Sequence, residues 1–148
     1  MATEKNAGFS AAEKAAMKEH AAELRAAAKR AKSENEDALN LADVLAKIEA
    51  MAPSDRAIAQ GIHELVGKVA PALKAKTWYG MQAYFLDGKI VCFFQDGGKF
   101  KSRYATLGFQ QDAALDDGDM WPTSFAVLEL TPAVIDRITA LLRKAIGA

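Results

Sequence analysis

The 148-residue chain carries 19 Lys and Arg against 19 Asp and Glu, a formal net charge of zero, and a single cysteine. That length suits one domain with a usable core, and the balanced charge gives no global field for nucleic acid or an anionic membrane. Cys92 alone excludes an intramolecular disulfide and fits a reducing compartment. The segment M-A-T-E-K-N-A-G has no apolar stretch, and no run is long enough to span a bilayer, so a soluble cytoplasmic protein is expected.

Ser10-Ala11-Ala12-Glu13 has the form of a capping box, and good helix formers follow it to about Lys32. Met17 and Leu24 are the large apolar residues of this helix. Its acidic residues precede its basic ones, as the helix dipole favours. The polar segment Ser33 to Ala38 reads as a linker, which divides the chain into an N-terminal helical extension with its linker (1–38) and an α+β domain (39–148). A second helix is expected from Asn40, with Leu41, Val44, Leu45 and Ile48 at helical spacing. Ala52-Pro53-Ser54-Asp55 ends it and caps a third, whose apolar face is Ile58, Ile62, Leu65, Val66 and Val69. His63-Glu64 fails the zinc pattern His-Glu-x-x-His because Gly67 stands at the second histidine position, so His63 reads as structural.

Thr77 to Phe109 reads as a three-stranded meander. Asp87-Gly88 between apolar residues signals a two-residue hairpin. Continued without interruption, that register pairs Phe85 with Ile90, Ala83 with Cys92 and Met81 with Phe94 on a buried face. Tyr84, Gln82, Val91, Phe93 and Gln95 then fall on the opposite face. A three-residue turn at Asp96-Gly97-Gly98 would pair Phe94 with Phe100, Cys92 with Ser102 and Ile90 with Tyr104, which avoids burying Lys101 and Arg103. An acidic loop follows, then a strand at about Ser124 to Leu130. Thr131-Pro132 caps a final helix with the stripe Val134, Ile135, Ile138, Leu141, Leu142 and Ile146. The order predicts an α+β fold, an antiparallel sheet of about four or more strands with helices on one face, plus an extra N-terminal helix.

Several motifs in this order resemble the YdhG-like domains of bacteria. They are Trp78-Tyr79-Gly80-Met81, Ala83-Tyr84, Asp87-Gly88-Lys89, Val91-Cys92-Phe93-Phe94, Lys99-Phe100-Lys101, Tyr104-Ala105-Thr106, Leu115-Asp116-Asp117-Gly118 and Met120-Trp121-Pro122-Thr123. The likeness covers roughly Leu41 to Ile146. Gln82 departs from it, standing where many members have proline. The resemblance implies a frataxin-like sandwich with helices on one side of the sheet, and it implies iron handling for some members, described as intracellular iron chaperones.

The open sheet face is expected to gather Trp78, Gln82, Tyr84, Phe93, Gln95, Lys99, Lys101 and Arg103. Aromatic rings beside cations suit an anionic small molecule or an acidic protein partner; the alternative is that the N-terminal helix or a second subunit covers the rings. K-F-K-S-R-Y-A-T is not an RNA-binding run, so no nucleic acid is expected. Asp112, Asp116, Asp117 and Asp119 have the chemistry of a weak hard-cation site, iron by the resemblance, but not the spacing of a calcium loop. The plainer reading is a solvated loop that pairs with the basic strand. Cys92 is expected in the core. With no Ser-His-Asp set, phosphate loop or dinucleotide fingerprint, no catalytic residue is assigned. The preferred reading is a non-enzymatic binding module, monomer or homodimer, without cofactor; a frataxin-like iron carrier and a structural homodimer are the alternatives.

Overall fold

The computed structural model describes residues 8–31, 33–99 and 101–147. Helix α1 (Ala11–Arg30) begins at the expected capping box: Ser10 Oγ accepts from Glu13 N at 3.0 Å and the Glu13 carboxylate accepts from Ser10 N at 3.3 Å. Helix α2 (Glu36–Glu49) starts four residues before Asn40, inside the segment expected to be linker, because Glu36 and Asp37 suit the positive end of a helix. Helix α3 (Pro53–Val69) follows after three residues. Strands β1 (Lys74–Trp78), β2 (Met81–Leu86), β3 (Lys89–Gln95), β4 (Ala105–Phe109) and β5 (Ser124–Val127) form one antiparallel sheet in sequence order, and α4 (Pro132–Ala145) closes the described fold. This is the expected α+β arrangement with one strand more at the leading edge. No helix among the described residues is long and apolar enough to cross a membrane.

Two tight turns set the first three strands. Tyr79-Gly80 and Asp87-Gly88 both have positive φ at their two central residues (51° and 76°; 51° and 81°), as a type I′ hairpin turn requires. The first turn creates β1, which the sequence reading did not separate from β2. The second gives the expected pairs Leu86–Lys89 and Phe85–Ile90, but the next pair is Tyr84–Cys92. Val91 is an extra residue in β3, a β-bulge, and it shifts every pair beyond it by one. The expected Ala83–Cys92 and Met81–Phe94 pairs are therefore replaced by Tyr84–Cys92, Ala83–Phe93 and Gln82–Phe94.

The core lies between the sheet and three helices. Val44 and Ile48 of α2, Ile58, Ile62 and Val66 of α3, and Ile138 and Leu142 of α4 pack against Tyr84, Cys92, Phe94, Leu107, Phe109 and Val127. Burying each such side chain stabilises the fold by about 1.5–3 kcal/mol. The turn expected at Asp96-Gly97-Gly98 is instead the start of a loop that closes on itself: Ser102 N donates to Gly97 O at 2.9 Å, and Lys99 N to the Asp96 carboxylate at 3.0 Å. Strand β4 consequently begins at Ala105, and Phe94 and Cys92 pair with Leu107 and Phe109 rather than with Phe100 and Ser102; Phe100 lies outside the described residues.

On the other face Phe93 pairs with Gly108, and its ring lies where a side chain at 108 would stand. Replacing Gly108 with alanine should push that ring aside and cost about 1–3 kcal/mol by overpacking. A urea titration of the variant, followed by tryptophan emission, will show an earlier midpoint together with a change in the environment of Trp78, which touches Phe93.

Candidate functional site

The bulge divides the residues expected on the open face between two places. Trp78 and Phe93 are on that face, half-buried, with ring centroids 5.2 Å apart. Ala83, opposite Phe93, is fully buried. Gln95 ends β3, half-buried. Gln82 and Tyr84 are not on the open face: both point toward the helices and are 0% and 1% exposed. Phe85 and Ile90, expected in the core, are only half-buried, and Lys76 Nζ sits 5.6 Å from the Phe85 ring centre.

Gln82 and Tyr84 form a polar thread through the core. The Gln82 amide nitrogen lies 3.0 Å from Ala59 O and 2.9 Å from the Tyr84 hydroxyl oxygen, so it donates one proton to each. The Tyr84 hydroxyl lies 2.9 Å from His63 Nδ1, and its proton finds an acceptor there when His63 is neutral and carries its own proton on Nε2. Gln82 Oε1 is buried with no hydrogen-bond partner among the described residues, a loss of about 1–3 kcal/mol. Burial lowers the pKa of His63 from its usual 6.5, with the Glu64 charge opposing. Burial also raises the Tyr84 hydroxyl and pushes the Cys92 thiol up to about 12, so Cys92 is the inert core residue expected.

The cationic residues gather at one end of the sheet, where the β1–β2 turn, the 96–104 loop and the start of α3 meet. In that loop Lys99 Nζ lies 2.8 Å from Glu19 Oε2 of α1 and 3.3 Å from Gly80 O. Lys47 Nζ of α2 approaches the same Glu19 oxygen at 3.4 Å. Burial by itself would raise the Glu19 carboxyl; the hydrogen bonds and charges of Lys99 and Lys47 outweigh it and hold the group below its usual 4.5. One turn further along α1, the two Glu23 oxygens accept from Tyr79 N at 2.7 Å and Gly80 N at 2.9 Å. His20 stacks on Tyr79 with centroids 3.8 Å apart. Helix α1 thus docks at the β1 edge and its turn.

Asp55 makes a parallel grip from α3. Its carboxylate does not cap its own helix; it accepts from Gly97 N at 3.3 Å and Gly98 N at 3.0 Å. Beside it a cleft of about 610 Å³ opens between the loop and the start of α3, lined by Ser54, Lys101, Ser102, Arg103 and Tyr104 among others. Lys101 and Arg103 are exposed, and the Arg103 guanidinium lies 5.1 Å from the Tyr104 ring centre. The structure therefore puts Lys101 and Arg103 on one cleft, turns Lys99 to Glu19 of α1, and separates all three from Gln82 and Tyr84. Ser54, Ser102 and Tyr104 were missed; the one signal for Ser102 and Tyr104 was the turn chemistry of the Asp-Gly-Gly run, which argues for a loop as readily as for a hairpin, and nothing near Ser54 pointed to it.

Asp112, Asp116, Asp117 and Asp119 are exposed, while Ala113 and Leu115 between them are buried and anchor the segment. Ala114 N also donates to Ala145 O of α4 at 2.9 Å. Among the described residues no three His, Cys, Asp or Glu side chains come together as a metal-binding group, and no ion pair joins these aspartates to the basic segment.

The His63 thread gives a stability dependence on pH. Because the folded pKa lies below the unfolded 6.5, the unfolded chain binds more protons in the interval between them, and stability rises with pH there and levels off above it. Denaturation midpoints should therefore fall on acidification below about pH 6.5, and the His63→Gln variant should lose that part of the dependence. No family model, curated protein or solved structure matches the chain.

Proposed function

We propose that the chain is a non-enzymatic binding module of the YdhG-like kind, which takes a small anionic molecule bearing a carboxylate or phosphate. The cleft between α3 and the 96–104 loop is its site. The observation that carries this reading is the meeting of Lys101 and Arg103 on one cleft of about 610 Å³, a volume in the range of small-molecule sites. Asp55 is the acidic residue of its lining, and both its oxygens already face Gly97 and Gly98 N–H groups. The α3 N-terminus, with no side-chain cap at Ala52, adds partial positive charge. Arg103 supplies a planar fork for the anion, Lys101 a point charge, and Ser54 and Ser102 hydroxyl donors. The ring of Tyr104 offers a flat apolar wall for an aromatic portion of the ligand.

Trp78 and Phe93 have no part in this cleft. Their rings pack on each other and over Gly108, and they act as the cover of the open face. Iron carriage rests on the family resemblance alone and has no comparable constellation behind it.

Calorimetric titration with inorganic phosphate, a dicarboxylate and a nucleoside monophosphate tests the proposal. At least one should bind, and Lys101→Ala with Arg103→Ala should weaken it by a factor of ten or more without moving the thermal midpoint. Each charge-assisted hydrogen bond to the anion contributes about 1.5–3 kcal/mol. An affinity that survives the double substitution removes the cleft from consideration.

A further inference from the structure

The docking of α1 is a recognition event in its own right. The helix buries little apolar surface: Ala16 is its buried residue, while Met17 and Leu24 are 41% and 60% exposed. A hollow of about 300 Å³ separates its Ala22, Ala26 and Ala27 from α2 and β1. Carboxylate chemistry holds its middle at two points four residues apart, and at its end Arg30 reaches α2, with Nη1 3.1 Å from Asn40 Oδ1 and 2.5 Å from Asp43 Oδ2. Glu23 places one oxygen on each of two successive N–H groups in a turn whose two residues are both left-handed, and Glu19 sits between Lys99 and Lys47. Successive N–H groups turned outward in this way form an anion-binding concavity. Gly80 is required there twice, by its φ of 76° and because a side chain would collide with the Glu19 carboxylate.

We propose that the Tyr79–Gly80 turn with Lys99 and Lys47 is a receptor for an acidic helix presenting two carboxylates at positions i and i+4, and that α1 is its built-in competitor. The spacing is the specificity: on a helix, residues four apart share a face, and the two anion positions lie one helical turn apart. His20 adds a flat ring that stacks on Tyr79, so a helix with an aromatic or histidine residue three positions before the second carboxylate fits best. The partner is a protein helix of this pattern, which gains access when α1 releases the turn and Arg30 parts from Asn40 and Asp43 of α2. This site uses none of the residues of the α3 cleft, so either proposal can fail without the other.

The test uses the full chain and a synthetic peptide with the sequence of residues 11–31. In the Glu19→Gln, Glu23→Gln chain α1 should undock, and its amides should exchange at least tenfold faster than in the unaltered chain, since a free helix of this length frays. That double variant should then bind the peptide, with a change in Trp78 emission. The unaltered chain should bind it at least tenfold more weakly, and a peptide with glutamine at both positions should not bind. If the α1 amides stay as protected as before, the carboxylates do not hold the helix and the proposal fails. It fails equally if the undocked chain ignores the peptide or takes the glutamine version as well. Should the double variant not fold, Glu23→Gln alone gives the same readings.

Discussion

One extra residue in β3 decides what the rest of the molecule can be. With Val91 bulged out, Tyr84 faces Cys92 and Gln82 faces Phe94, and both polar side chains turn toward the helices. A ladder without the bulge would have sent Ala83 and Met81 inward instead, leaving a shallower core beneath α3. The inserted residue is itself buried with the core, so the local loss of one ladder pair is offset by packing. The consequence is a core with a polar thread in it, in which a backbone carbonyl, an amide N–H group, a phenol and an imidazole are linked in one chain while the amide oxygen of Gln82 is left over.

At one end of the sheet the same device appears twice. A helix contributes a carboxylate, and that carboxylate satisfies two successive backbone N–H groups in a turn: Glu23 with Tyr79 and Gly80, Asp55 with Gly97 and Gly98. Turn N–H groups have no ladder partner, so they would otherwise face water or be left unpaired. The two grips differ in what they fasten. Asp55 ties a loop to a helix already fixed by Ile58 and Ile62 in the core, whereas Glu23 ties on a helix with almost no apolar hold of its own.

How much of this could be read from residue order follows from the range of the forces involved. Local signals survived: the Ser10 capping box, Thr131-Pro132, the Asp87-Gly88 turn and the apolar stripes of α3 and α4 all depend on neighbours within a few residues. The general layout followed from the order of those elements. The faces of β2 did not, because a bulge is a tertiary choice; Val91 is an ordinary strand residue, and nothing beside it announces that it will be skipped. Gln82 was the available clue. A glutamine between apolar neighbours looks like a solvent position, and only the carbonyl of Ala59 and the hydroxyl of Tyr84, brought in by α3 and by the register, make a buried site for it. The candidate ligand residues were half legible for the same reason. Lys101 and Arg103 are close in sequence and stay together, while Glu19, Glu23 and Asp55 reach their turns from 42 to 80 residues away.

Cys92 has a further meaning in this setting. It is the chain's only thiol, it is fully buried at the middle of the sheet, and burial holds it protonated at physiological pH. An alkylating reagent meets it only when strands β2 to β4 part from the helices, so its modification rate measures the opening of the core alone. Movements of α1, and of the loop beside the α3 cleft, leave that rate untouched. The molecule thus carries its own clock for global opening, insensitive to events at the end of the sheet where the two gripped turns lie.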